Sequence, residues 1–196
     1  MNASFDVDDD LKYYFPGTNH IDHSGNLYPW PLNDRGIDIS AYANNDFGGD
    51  HSYHVLGSYT DWFAGYYTDA DYGFGHRSLY PLKPGKKIWM WALSRQGEIW
   101  KDLLTDTTQN KQYTEIQTGL LYNQAGAGST YTPFKHLEFR TGSELYFSEK
   151  WFPLSKIGGV KVISEEMALN IREDGEEQEI LLYALERVMD TMDIVN

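Results

Sequence analysis

The sequence predicts a mainly β fold, an antiparallel sandwich, on three observations. Turn signals punctuate the chain at close intervals: Pro16-Gly17, Ser24-Gly25, Asn33-Asp34-Arg35-Gly36, Gly48-Gly49, Pro84-Gly85, Gln96-Gly97, Gly126-Ala127-Gly128, Thr141-Gly142 and Gly158-Gly159. The runs between them are short and rich in aromatic and β-branched residues, which favour a pleated, half-buried surface. Helix signals are sparse before Ser164. Many short strands joined by tight turns assemble as antiparallel sandwiches or barrels.

Taken in order, the strand expectations are these. Tyr13–Phe15 opens the series, and Ile37–Tyr42 and Tyr53–Leu56 follow. Trp62–Tyr67 and Gly73–Ser78 combine rings with glycine. Lys87–Leu93 places Trp89 and Trp91 on one face and Ile88, Met90 and Ala92 on the other, because strand side chains alternate. Tyr113–Tyr122 puts Thr114, Ile116, Thr118 and Leu120 toward a core, and Tyr113, Glu115, Gln117 and Gly119 on the opposite face. His136–Arg140 and Leu145–Phe147 complete the set. The tail admits two readings. Asp174-Gly175 between apolar runs signals a hairpin, whereas Leu181, Leu185, Val188 and Met192 stand at helical spacing.

The chain has 196 residues, enough for one domain with a small additional element. It has no cysteine, so disulfides and thiolate metal sites are excluded. The formal net charge of −13 makes nucleic acid and anionic membrane poor partners. No apolar run approaches the ~20 residues of a membrane-spanning helix. The acidic start, Met1 to Asp10, is not a signal peptide, and a cytoplasmic location is expected. Neutral ligands remain open. The 15 Tyr and 6 Trp read first as strand formers and second as flat rings for stacking on sugar or another planar partner.

Glu115 is the carboxylate of most interest, with Tyr113 and Gln117 on its face. If the Trp89/Trp91 strand lies beside it, the two indoles floor a cleft that Glu115 rims. The plain alternative is a solvent-facing glutamate over buried indoles. His76, two residues from Phe74, and His23, after Asp22, are the histidines of interest, and Arg35 could bond hydroxyls from its turn. His20-x-x-His23 and His51-x-x-His54 lack the helical setting and internal Glu of a zinc-hydrolase motif. No metal site or cofactor is expected. The aspartate-rich runs at 6–10 and 69–73 leave calcium possible in a loop other than an EF-hand, whose glycine position holds Leu11 in the first run.

Pro84-Gly85-Lys86-Lys87-Ile88-Trp89-Met90-Trp91 resembles an uncharacterised bacterial domain family with a galactose-mutarotase-like supersandwich fold, often found ahead of tetratricopeptide repeats in large proteins. Asp38-Ile39-Ser40-x-Tyr42, Gly57-Ser58, Phe63-x-Gly65-Tyr66, Gly73-x-Gly75-His76, Trp100-x-Asp102-x-Leu104-Thr105-Asp106, Tyr113-x-Glu115 and Lys150-Trp151-Phe152-Pro153 extend the resemblance in order. Ala92 stands where the family often has Gly, and the segment after Asn123-Gln124 differs. Asn2-Ala3, Phe15-Pro16 and Asp22-His23 are similar to the middle of the family domain. The resemblance thus implies that residues 1–160 are the C-terminal part of a sandwich whose first strands lie outside this chain, and that 161–196 begin a following β module or form a terminal hairpin or helix.

Mutarotase-like domains hold sugars on one sheet face. There a Glu serves as base on the anomeric hydroxyl and a His as acid on the ring oxygen, each within about 3 Å of its proton. By this resemblance Glu115 is the base and His76 the acid. Trp89, Trp91, Tyr113, Gln117, His23 and Arg35 would bind the sugar. The leading expectation is a carbohydrate-recognition domain of a larger protein. A carbohydrate-active enzyme, epimerase-like or glycan-processing, and a structural domain packed against repeats are the alternatives. Unpaired sheet edges make a homo-oligomer a further expectation.

Overall fold

The computed structural model describes residues 2–6, 9–23, 25–56, 60–91, 94–104, 113–121, 140–175 and 177–186. The strands are β1 (Asn2–Asp6), β2 (Leu11–Tyr14), β3 (Asn19–Ile21), β4 (Leu27–Pro29), β5 (His51–Leu56), β6 (Trp62–Tyr67), β7 (Tyr72–Arg77), β8 (Gly85–Met90), β9 (Tyr113–Gly119), β10 (Lys150–Ser155), β11 (Val162–Ile163), β12 (Met167–Asp174) and β13 (Glu177–Ala184). They form a six-stranded sheet in the order β1-β9-β8-β5-β3-β4, a four-stranded sheet in the order β10-β7-β6-β2, and a three-stranded sheet β11-β12-β13. Every strand pairing is antiparallel.

Alternation decides what each sheet buries. One face of the large sheet sends Tyr53, Val55, Ile88, Met90 and Ile116 against Leu11, Tyr13, Phe63, Tyr67 and Phe74 of the four-stranded sheet. The other face of the four-stranded sheet carries Trp62, Ala64, Tyr66 and Leu154, which pack on Ile157, Val160, Ile163 and Ala168. The four-stranded sheet is therefore covered on both sides, and every side chain of β6 is buried. The Tyr66 hydroxyl ties the layers by donating to Asp71 Oδ1 (2.6 Å) and accepting from the amides of Ile157 and Gly158, both at 3.1 Å.

Four sequence expectations are corrected here. Ile37–Tyr42 is a looped segment with isolated bridges at Asp38 and Ala41, not a strand. The Asp38 carboxylate accepts from the Ser40 amide at 3.0 Å and from Lys12 Nζ at 2.9 Å, and these local bonds compete with a ladder. Leu145–Phe147 is exposed and outside any strand. A short helix, α1 (Glu98–Leu104), follows the Gln96-Gly97 turn, too brief to announce itself by periodicity. β10 contains Pro153, which masks its strand pattern but which a sheet tolerates on an edge strand. The expected strand His136–Arg140 lies, except for Arg140, outside the described residues. In the tail the hairpin reading holds: β12 and β13 pair from Met167↔Ala184 to Asp174↔Glu177, and Gly175 takes the positive φ (+65°) of the connection.

Candidate functional site

Ile88, Met90, Thr114 and Ile116 point into the sandwich, so Lys87, Trp89, Glu115 and Gln117 lie on the opposite, outward face of the large sheet. The register places Trp89 directly across from Glu115 and Lys87 across from Gln117. On the next strand, Ser52 stands across from Trp89 and His54 across from Lys87. The expected adjacency of the Trp89 strand and the Glu115 strand is thus present.

The Glu115 carboxylate is held by its own strand. The Tyr113 hydroxyl donates to Oε1 (3.1 Å), and Gln117 Nε2 donates to Oε2 (2.6 Å). Trp89 meets Trp91 edge-on at 5.2 Å between centroids and Tyr113 at 6.0 Å. Burial, and then the adjacent Glu115 charge, push the Tyr113 phenol up to about 12. Trp89 Nε1 donates to Asp50 Oδ2 (3.2 Å). Lys87 is buried on this face. Burial pulls its ammonium down to about 8, with Glu115 and Asp50 opposing the shift. An amine brought close to neutrality inside a polar cluster is a recognised mark of functional sites.

Two imidazoles extend the cluster. His23 Nε2 is 2.9 Å from Ser52 Oγ, and its ring lies 5.1 Å from that of His54. His54 Nδ1 donates to the Ile21 carbonyl (3.0 Å), and burial lowers this histidine to about 3, leaving it neutral. Burial also lowers His23, with the charge of Lys87 adding to the effect. The cluster continues into an open cavity of about 460 Å³ at the ends of β3 and β5, which shares His23, Asp50 and Ser52 with it. Arg35 is an exposed turn residue next to the cavity-lining Asn33 and Asp34, and its amide is bonded to Asn33 Oδ1 (3.0 Å).

His76 is elsewhere. It shares the inner face of β7 with Phe74, packed on Phe63 and Trp151, and is 1% exposed. Its Nε2 lies 3.3 Å from Glu149 Oε2, which also accepts from Lys83 Nζ (2.8 Å) and from the hydroxyl of Thr118 (3.4 Å). Thr118 is on the inward face of β9 and Glu115 on the outward face, so the structure does not bring His76 and Glu115 together. Among the described residues no group of three His, Asp or Glu is placed to hold a metal ion. Asp71, from one aspartate-rich run, is engaged by Tyr66 and by the Gly158 amide (3.0 Å).

Several of the quoted motifs prove to be packing devices. A Cβ on Gly65 would stand 2.4 Å from the Phe74 ring, and one on Gly75 2.2 Å from the Phe152 ring. Gly65 and Gly75 therefore make room for aromatic rings across strands, whereas a Cβ on Gly73 would first meet the Gly65 carbonyl oxygen, at 2.3 Å. Lys87, Ser52 and His54 are the site residues that sequence reasoning missed. Lys87 was within reach, since it shares strand parity with Trp89. His54 and Ser52 needed the pairing of β5 with β8, which no local pattern reveals.

A family model described as "Domain of unknown function (DUF5107)" matches residues 1–154. Among solved structures, the chain is similar to a TPR-domain containing protein from Parabacteroides distasonis, with a TM-score of 0.57 and 21% identity. That match covers 83% of this chain and 26% of the other, so the chain spans about a quarter of the relative's length. At this identity the likeness speaks to the fold alone.

Proposed function

The chain belongs to the DUF5107 family, and we propose that it recognises carbohydrate on the outward face of its large sheet, as one β-sandwich domain of a larger multi-domain protein. The observation that carries this reading is the arrangement around Glu115. A carboxylate with both oxygens already bonded sits across from an indole, with a second indole, a phenol, an amide and a buried lysine beside it. Indole faces match the apolar faces of pyranose rings. Fixed carboxylate, amide and ammonium groups match the ring hydroxyls, and pre-bonded partners lower the entropy lost on binding. A galactose-mutarotase-like sandwich, which would use one sheet face in this way, is the fold type we assign. The likeness to a far longer protein described as containing a TPR domain supports a multi-domain setting.

A second reading is favoured by Lys87. An amine near pKa 8 beside Glu115 supplies an acid and a base on one face, as sugar ring opening or epimerisation requires. In that reading Lys87 takes the part that the family resemblance implied for His76. The test is a glycan array on the full-length protein, followed by calorimetry on any hit with parent, Glu115→Gln and Trp89→Ala. Recognition predicts a modest loss for Glu115→Gln and a larger one for Trp89→Ala. Catalysis predicts turnover of the hit that falls by roughly 10²–10⁴ in Glu115→Gln. An array with no hit overturns both.

A further inference from the structure

We propose that the outer face of the third sheet, β11-β12-β13, is a docking surface for one amphipathic helix of the same longer chain, a helix whose apolar stripe is flanked by lysine. This goes beyond the carbohydrate reading and rests only on its multi-domain part. The first warrant is apolarity on two faces. Ile163, Ala168, Leu181 and Tyr183 point inward and pack with Trp62, Ala64 and Leu154. Strand parity sends Val162, Met167, Leu169, Ile171, Ile180 and Leu182 to the other side. The register joins them into one patch. Leu169 stands between Val162 and Leu182, and Ile171 is across from Ile180. Val162, Ile171, Ile180 and Leu182 are 39–48% exposed. Single exposed apolar residues are ordinary, whereas a contiguous patch marks an interface. A sheet face that is apolar throughout is stable when another element covers it.

The second warrant is charge. Residues 161–186 hold eight Asp and Glu against two basic residues, Lys161 and Arg172. Arg172 has the inward parity, and its Nη1 donates to Glu179 (3.3 Å). Lys150 meets Glu165 and Glu186. Glu173 shares the parity of Ile171, and Glu166 and Glu177 lie at opposite ends of the patch. Among the described residues none of these three has a cationic partner. An acidic rim around an apolar face fits a basic-flanked partner and repels a second copy of a chain whose net charge is −13. Lysine suits both parts of the surface, since its stem lies on apolar groups while its ammonium reaches the carboxylates. The third warrant is size. Three strands about 4.8 Å apart make a surface about 10 Å wide, the width of one helix with its side chains. Four partly exposed aliphatic side chains fall well short of the ~800 Å² per partner of a stable interface between separate molecules. A tethered helix needs less area, because its linker holds it at millimolar effective concentration.

The experiment is zero-length carbodiimide cross-linking of the full-length protein, as an equal mixture of unlabelled and nitrogen-15-labelled preparations, read by mass spectrometry. Glu166, Glu173 or Glu177 should be joined to lysines outside residues 1–196, in peptide pairs of a single isotope. Ile180→Gln/Leu182→Gln should lower the yield of these links about tenfold, the loss expected when two apolar contacts go. Leu182→Gln alone, at an exposed position, should lower it part-way and serves if the double variant melts early. Links between peptides of different isotope, which show a second copy on the face, overturn the proposal. Links to lysines within residues 1–196, which show the chain's own segments covering it, overturn it too. Absence of links from all three carboxylates overturns the docking surface and leaves the multi-domain setting and the carbohydrate reading standing. A full-length chain that ends at Asn196 overturns the multi-domain setting with it.

Discussion

Replacing Glu149 by glutamine keeps the side chain's size and removes its charge, and the structure says what should follow. Glu149 has a side chain 6% exposed, and its partner Lys83 has one 3% exposed. Lys83 Nζ also lies 3.6 Å from the centroid of the Phe147 ring, and Lys86 Nζ donates to the Lys83 carbonyl at 2.9 Å. Burial alone would raise the Glu149 carboxyl. The bonds from Lys83 and His76 outweigh it and hold the group below its usual range, so it is ionised. Glu149→Gln would leave the Lys83 charge buried with only an amide oxygen and a ring face to meet it. Breaking a buried pair from one side costs about 3–5 kcal/mol. For a chain of this size that corresponds to a fall in Tm of roughly 6–20 °C, at about 2–4 °C per kcal/mol. Lys83→Met in the same background should restore most of the loss, because no lone charge remains. The assay is a double-mutant cycle by urea denaturation with thermal melts. A loss below about 1 kcal/mol for Glu149→Gln, or additive effects in the double variant, would show the pair to be solvated and the reasoning wrong.

Three further outcomes are expected. Gly75→Ala should destabilise by about 1–3 kcal/mol, since its methyl group overlaps the Phe152 ring at 2.2 Å, and trimming that ring with Phe152→Leu should relieve part of the cost; chemical denaturation checks both. Tyr66→Phe should cost about 1–3 kcal/mol by leaving the Ile157 amide without its acceptor, and hydrogen exchange at that amide should accelerate. Stability should decline on acidification. His20 and His76 titrate at about 4 in the folded chain and at 6.5 in the unfolded one, so between those values the unfolded state binds more protons, and the contribution present above pH 6.5 is lost as pH falls toward 4. Melts across that window should show a decline on the order of a few kcal/mol, shallower but still present in His76→Gln/His20→Gln, because His54, His23 and His51 are lowered by burial as well.

How far the sequence speaks depends on the range of the determinant. Parity along a strand is local, so the inward set Thr114, Ile116 and Thr118 and the outward set Glu115 and Gln117 could be read directly, as could the β6 run. The hairpin at Asp174-Gly175 was legible for the same reason, though the helical spacing of Leu181 and Leu185 competed with it until cross-strand pairing decided. Sheet order is not local. Nothing in the segment Ile37–Tyr42 reveals that Lys12, far back in the chain, will hold Asp38 and keep it out of a ladder. His76 shows the limit most clearly. Its parity with Phe74 was readable, but parity does not say which sheet the strand joins. Its partner Glu149 lies 73 positions on, in a segment without a periodic signal. Lys87 was readable as a neighbour of Trp89, whereas its lowered pKa comes from burial that only the assembled sheet creates.

Sugar is proposed to bind on the outward face of the large sheet. A crystal structure of the full-length protein with its best array ligand tests this most directly. The account predicts a pyranose ring against Trp89, with hydroxyls within hydrogen-bond reach of Glu115, Gln117 and Lys87. A second groove, about 400 Å³ and lined by Tyr67, Tyr72, Phe74, Trp151 and Pro153, offers a competing and more apolar place. Sugar bound there, with the Glu115 face bare, would contradict the account.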